Sequence, residues 1–166
     1  TLQFPLASIT VPVMINNIFY DFDKATLTPA STKALDELVE LLNENPNVTI
    51  ELSAHCDYKG SDEYNKQLSQ QRAESVVKYL IGKGIAHDRL TPVGYGKNRP
   101  KTIRKKLTEK YPWLKENDVL TEEFIKKLSK DKQDICNQLN RRTEFIVLQT
   151  TYGMFDKNGQ LKNLPK

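Results

Sequence analysis

Residues 47–54 alternate strictly, with Val48, Ile50, Leu52 and Ala54 on one side and Thr49, Glu51 and Ser53 on the other. This is the pattern of a half-buried β-strand. Helical periodicity brackets it, and that combination confines the chain to layered α/β designs. Upstream, Thr28 caps a helix that opens with Pro29, a residue with no N–H to lose there, and ends near Pro46. Its Leu35, Leu38, Val39 and Leu42 recur at spacings of three and four, which turns one stripe to a core. Downstream, Ser61 caps a second helix running to about Ile81, with Asp62 and Glu63 at its positive end and Gly82 and Gly84 closing it. Further strands are expected over residues 18–22, 89–96 and 143–150. Pro92 makes the middle one an edge or a strand start. The expected fold class is α+β, in the order β-α-β-α-β-(insert)-β, as a small mixed sheet with helices packed on one face.

The insert is a helical segment at about residues 101–139. It is rich in Lys and Glu, with Tyr111 and Trp113 around Pro112 and a capped helix from Thr121. The 166 residues carry 25 Lys plus Arg against 21 Asp plus Glu, but residues 97–142 alone hold 14 basic against 7 acidic side chains. A lysine-rich surface interspersed with acids and offering only two aromatics for stacking reads as a solvated helical face, not a nucleic-acid interface. No run of 18 apolar residues exists to span a bilayer. The chain divides into a lead-in over 1–16, a domain over 17–150 and a tail over 151–166. Turn chemistry at Asp156, Asn158 and Gly159 suits the tail to a hairpin.

Wound at 100° per residue, the second helix brings Leu68, Tyr79, Arg72, Asn65 and Val76 within about 80° of arc. Arg72 thus falls inside the apolar stripe. Buried there it needs a partner or an opening to water. Asn65 lies on the same line, toward the loop that begins at Asp57. One reading is an internal ion pair between Asp57 and Arg72 that fixes the loop. The other is recognition of a zwitterion: a carboxylate accepts from an ammonium, and an arginine beside it grips a carboxylate.

Several motifs carry a resemblance. They are His55-Cys56-Asp57, Gly60, Asn65-x-x-Leu68-Ser69-x-x-Arg72-Ala73-x-x-Val76, Gly84-Ile85, Arg89-Leu90, Gly94-x-Gly96, Pro100 and Asn140-Arg141-Arg142-x-Glu144. In order and spacing, residues 17–150 outside the insertion resemble the OmpA-like C-terminal domain. The resemblance implies a peptidoglycan-binding module that grips the diaminopimelate of the stem peptide without covalent chemistry. It implies a place on the periplasmic side of the Gram-negative outer membrane, no cofactor, and a role in anchoring an envelope complex. Asp57 and Arg72 match the family positions for the amino acid end of diaminopimelate, Asn65 the supporting amide, and Asp21 and Arg141 further pocket positions. Arg142 is expected to anchor locally. The long insertion resembles those of Bacteroidetes envelope lipoproteins, some of which serve secretion machinery.

Cys56 departs from the family, which has threonine between the histidine and the aspartate. Some relatives carry a disulfide in the equivalent insertion; here Cys136 is either free or paired with Cys56. A Cys56–His55 hydrolase is disfavoured, because neighbours on a strand point to opposite faces. A zinc site from His55, Cys56, His87 and Cys136 lacks ligand spacing, and His87 reads as an exposed turn residue. The serious alternative is a protein-interaction module that keeps the fold and uses the insertion as its contact surface.

Overall fold

A computed structural model describes residues 13–15, 18, 20 and 24–154. Helix α1 spans Pro29–Glu44 and buries Leu35, Leu38, Leu41 and Leu42. Strand β2 (Thr49–His55) follows, then α2 (Asp62–Gly82), in which Ser61 Oγ accepts from the Tyr64 N–H as the cap. A single 3₁₀ turn at His87–Arg89 leads into β3 (Leu90–Gly96). The Arg89 side chain is buried under the C-terminal end of α1, where it donates to the carbonyls of Val48, Leu42 and Asn45 at 2.8–2.9 Å. It thereby satisfies acceptors that a helix end leaves open.

The first strand, β1 (Val13–Ile15), lies ahead of the predicted 18–22 segment. Of that segment, residues 19, 21 and 22 lie outside the described residues, and Tyr20 forms an isolated antiparallel bridge to Leu27. A three-residue strand shows no alternation that a sequence could reveal. With β4 (Arg142–Gln149) the sheet has the order β1-β4-β2-β3; β2 and β3 are parallel and the other pairs antiparallel. Pro92 therefore stands on an edge strand, as its missing N–H demands. The expected tail hairpin lies outside the described residues.

One face of the sheet meets the helices. Ile50 and Leu52 of β2 join Phe145 and Val147 of β4 and the leucines of α1 in a single core. The buried line of α2 is rotated away from the expected arc. It runs through Asn65, Ser69, Ala73, Val76 and Leu80, while Leu68, Tyr79 and Arg72 flank it half-buried. The cause is a close approach to β3. A Cβ on Gly94 would stand 2.1 Å from the Gln70 nitrogen, so small residues face the strand there. Ser69 Oγ accepts from the Gly96 N–H at 2.9 Å and Gln70 Oε1 from the Gly94 N–H at 2.8 Å. Hydrophobicity alone does not report a contact made by small and polar side chains.

The other face corrects the half-buried expectation for β2. Thr49, Ser53 and His55 are buried as well; Ser53 donates to Glu51 and His55 meets a polar cluster around Glu144.

The insertion folds as α3 (Lys105–Lys110), α4 (Glu122–Lys126) and α5 (Lys130–Asn140). It has a core of its own in Ile103, Leu114, Leu120, Ile125 and Cys136. Thr121 Oγ1 caps α4 by accepting from the Phe124 N–H. Cys56 and Cys136 are both buried and free, which settles the choice left open by the sequence. None of the described helices is long and apolar enough to cross a membrane.

Candidate ligand-binding site

The site lies where β2 gives way to the loop before α2. The Cys56 N–H bonds the Gly96 carbonyl at 2.8 Å, which extends the pairing of β2 with β3 by one residue and delivers Asp57 at the rim. Asp57 Oδ1 accepts from the Lys59 N–H at 2.9 Å, a local turn that fixes the carboxylate. Gly60 supplies the left-handed backbone, φ +89°, that folds the loop back onto α2. There the buried Asn65 donates from Nδ2 to the Lys59 carbonyl at 2.6 Å. Its amide supports the loop from below.

Asp57 is paired with Arg141, through Nη1 and Oδ2. The internal pair with Arg72, one of the two readings of the sequence, does not form. Arg72 instead donates from Nε to the Lys24 carbonyl at 2.9 Å, and its guanidinium lies 4.7 Å from the centre of the Tyr20 ring. A stacked cation of this kind keeps its charge and much of its hydrogen-bonding capacity. Tyr20 is itself pinned by a 2.9 Å bond between its hydroxyl and Thr143 Oγ1. Burial pushes its phenol up to about 12, the Thr143 bond and the charge of Arg72 opposing, so it stays neutral beneath the guanidinium.

Cys56 lies within the fields of Arg72, Asp57 and Arg141. Burial pushes its thiol up, with Arg72 the largest opposing influence. Its Sγ is 3.6 Å from the Asn65 carbonyl, whereas the ring of His55 turns to the opposite face and places Nε2 3.4 Å from Glu144. The two side chains do not meet. His87 is exposed in its 3₁₀ turn, and among the described residues no cluster of His, Cys, Asp and Glu is arranged to hold a metal ion.

The structure thus brings Arg141 from the end of α5 and Asn65 from α2 to the loop that carries Asp57, while Arg72 is held by Tyr20 and the Lys24 carbonyl. Asp21 lies outside the described residues. The pair is open to water on its cationic side, since the Arg141 side chain is 46% exposed and that of Asp57 11%. A family profile matches this part of the chain, covering residues 19–111, more than half of its length. The chain belongs to the OmpA family.

Outer membrane protein A of Shimwellia blattae is 42% identical to this OmpA-family chain over 89 residues, 52% of the chain and 37% of that protein. The chain therefore spans little more than a third of that relative's length. Among solved structures it is similar to the peptidoglycan-associated lipoprotein from Burkholderia pseudomallei (TM-score 0.54, 21% identity, 79% of this chain and 88% of that one). It is likewise similar to the cell wall anchor of the T6SS from Pseudomonas aeruginosa (TM-score 0.55, 18% identity, 83% and 79%). At these identities the likeness establishes the α+β fold. By name these relatives are an outer-membrane protein, a lipoprotein and an anchor.

Sequence reasoning assigned no role to the neighbouring Glu144 cluster. Glu144 is buried and holds Lys101 Nζ at 2.9 Å, Arg142 Nε at 3.2 Å and His55 Nε2 at 3.4 Å. The Arg142 Nε contact is one of charge, since the N–H is not aligned for a hydrogen bond. The same guanidinium does bond the carbonyls of Asn140 and Arg99, at 3.1 and 3.0 Å, so Arg142 is a local anchor and Arg141 the arginine that faces the site. Burial drives the His55 imidazole down to about 3, assisted by Arg142. Glu144 is held below its usual range by Arg142 and Lys101, although burial acts the other way.

Proposed function

We propose that this domain binds cell-wall peptidoglycan through the diaminopimelate of the stem peptide. It would thereby hold an outer-membrane or envelope complex to the wall from the periplasmic side. The observation that carries the reading is the rim placement of Asp57: a carboxylate fixed by its own loop, with a half-exposed arginine as its counterion. In the bound state Asp57 takes the ligand ammonium in place of, or alongside, Arg141. Arg72, oriented by Tyr20 and Lys24, takes the carboxylate of the same amino acid end. Asn65 keeps the loop in register and Arg141 lines the remainder, with Asp21 kept as a pocket position by its match to the family. The relatives support this reading, since one is a peptidoglycan-associated lipoprotein and another a cell wall anchor. Recognition of both poles of a zwitterion needs no cofactor and makes no bond.

Titration with meso-diaminopimelate, followed by calorimetry, and sedimentation with purified wall test the proposal. The parent domain saturates and co-sediments, whereas Asp57→Ala and Arg72→Ala lose retention while still unfolding cooperatively. A parent that shows no saturable response would overturn the proposal in favour of a protein-interaction module using the insertion, where the basic excess lies. Either variant sedimenting like the parent would remove the role assigned to that residue.

A further inference from the structure

The insertion reaches the Asp57 loop from two directions. Tyr58, directly after Asp57, is half-buried and packs against the insertion core of Ile103, Leu114, Leu120, Ile125 and Cys136. Arg141 sits at the C-terminal end of α5, where its N–H bonds the Asn137 carbonyl at 3.1 Å, one turn after the wholly buried Cys136. Asn140 secures that end of α5. It accepts from the Lys101 N–H at 2.8 Å and donates to the Leu120 carbonyl at 3.0 Å, joining the start, middle and end of the insertion. The carboxylate and its arginine are thus joined by an ion pair and also by one apolar cluster to which both chain segments are anchored.

An ion pair whose arginine is 46% exposed to water holds that long side chain only weakly. Packed cores, by contrast, resist displacement. The resting place of the Arg141 guanidinium relative to Asp57 must therefore be set mainly by the insertion. We infer that the insertion is a positioning element of the ligand site and that Tyr58 is its positioning residue. By seating Tyr58 and the end of α5 in one core, it fixes the separation between the Asp57 carboxylate and the Arg141 guanidinium. The inference rests on the reading that Asp57 and Arg141 take part in recognising the diamino acid end.

Four variants test it: Tyr58→Ala, Tyr58→Phe, Ile125→Ala in the insertion core, and Leu38→Ala in the main core on α1. Each is checked for cooperative unfolding, with Ile125→Val standing in should Ile125→Ala fail to fold. Two quantities are measured, the affinity for meso-diaminopimelate and the ¹⁵N relaxation of the Arg141 guanidinium without ligand. Tyr58→Ala and Ile125→Ala should weaken binding by between about threefold and thirtyfold and loosen the guanidinium. Tyr58→Phe, which keeps the packing ring, and Leu38→Ala, which destabilises elsewhere, should match the parent in both. An unchanged affinity and guanidinium in folded Ile125→Ala would overturn the inference, as would an equal loss in Leu38→Ala. If the parent does not bind the diamino acid, the proposed function fails, and the relaxation data alone decide whether the insertion positions Arg141.

Discussion

Arg141 and Arg142 are neighbours with opposite employment. Arg142 is turned under the sheet to Glu144, where both side chains are about 95% buried and the carboxylate also meets Lys101 and His55. Arg141 faces Asp57 at the rim with nearly half of its side chain in water. Each carboxylate has an arginine, yet only one of the two has room for another cation. Glu144 is saturated with partners from β2, β4 and the start of the insertion, so its cluster acts as a structural clamp. Asp57 has one half-exposed counterion and one backbone donor, which leaves its carboxylate able to exchange partners. What separates a candidate binding group from a structural one is therefore the accessibility of its counterion, more than the presence of one.

The sharpest way to break this comparison is to remove both carboxylates in turn. Glu144→Ala strands Lys101 and Arg142 as buried, uncompensated cations, and should cost about 3–5 kcal/mol or prevent folding outright. Asp57→Ala releases a half-exposed arginine to water and should cost under about 1 kcal/mol, while abolishing wall retention. Urea unfolding of both variants gives the two figures. Equal losses would mean that Asp57 is as structural as Glu144.

The two clusters differ in how far the sequence disclosed them. The helix caps at Ser61 and Thr121, the α1 stripe and the edge placement of Pro92 follow from local chemistry, which a sequence records directly. Asp57, Asn65 and Arg72 stand out because polar residues at those spacings are conspicuous near an apolar stripe. The partner of Asp57 was not legible, since Arg141 lies 84 positions away and arrives only because the insertion closes beneath it. For the same reason the pairing of Lys101 with Glu144, 43 positions apart, left no periodic trace. The rotation of α2 was hidden by the small side chains that permit it, Ser69, Ala73 and Gly94.

Acid should sharpen the same contrast. His55 titrates near 3 in the folded chain and near 6.5 when unfolded, so between these values the unfolded chain binds the extra proton. Stability is complete above about pH 6.5 and falls as the pH drops toward 3, by up to about 1.4 kcal/mol per pH unit where His55 dominates. Glu144, also held low, adds to the loss once the pH passes below the usual carboxylate range. The groups facing His55 are Arg142, Glu144, Arg99 and Lys101, and three of these four are cations that resist its protonation. Its Nδ1 is buried with no hydrogen-bond partner, so a proton added there would find no acceptor. Thermal unfolding across pH 3–7 should show this slope in the parent and a flatter one in His55→Gln. An equal slope in both would place the acid sensitivity elsewhere.

The smallest effects come from making one conservative change at adjacent positions. Arg142→Lys keeps the charge but cannot at once face Glu144 and bond the carbonyls of Asn140 and Arg99, which the guanidinium does with three nitrogens. At least one carbonyl loses its donor, so unfolding should become easier by about 1 kcal/mol. Arg141→Lys leaves a cation beside Asp57 at a half-exposed position and should change stability by less than about 0.5 kcal/mol. Its consequence belongs instead to recognition, because an ammonium holds a carboxylate from one point where a guanidinium forks. A fall in diaminopimelate affinity without a shift in the unfolding midpoint is the expected pattern for Arg141→Lys, and a midpoint shift without loss of binding the pattern for Arg142→Lys. Exchanged patterns would mean that the two arginines had been assigned to the wrong sides of the sheet.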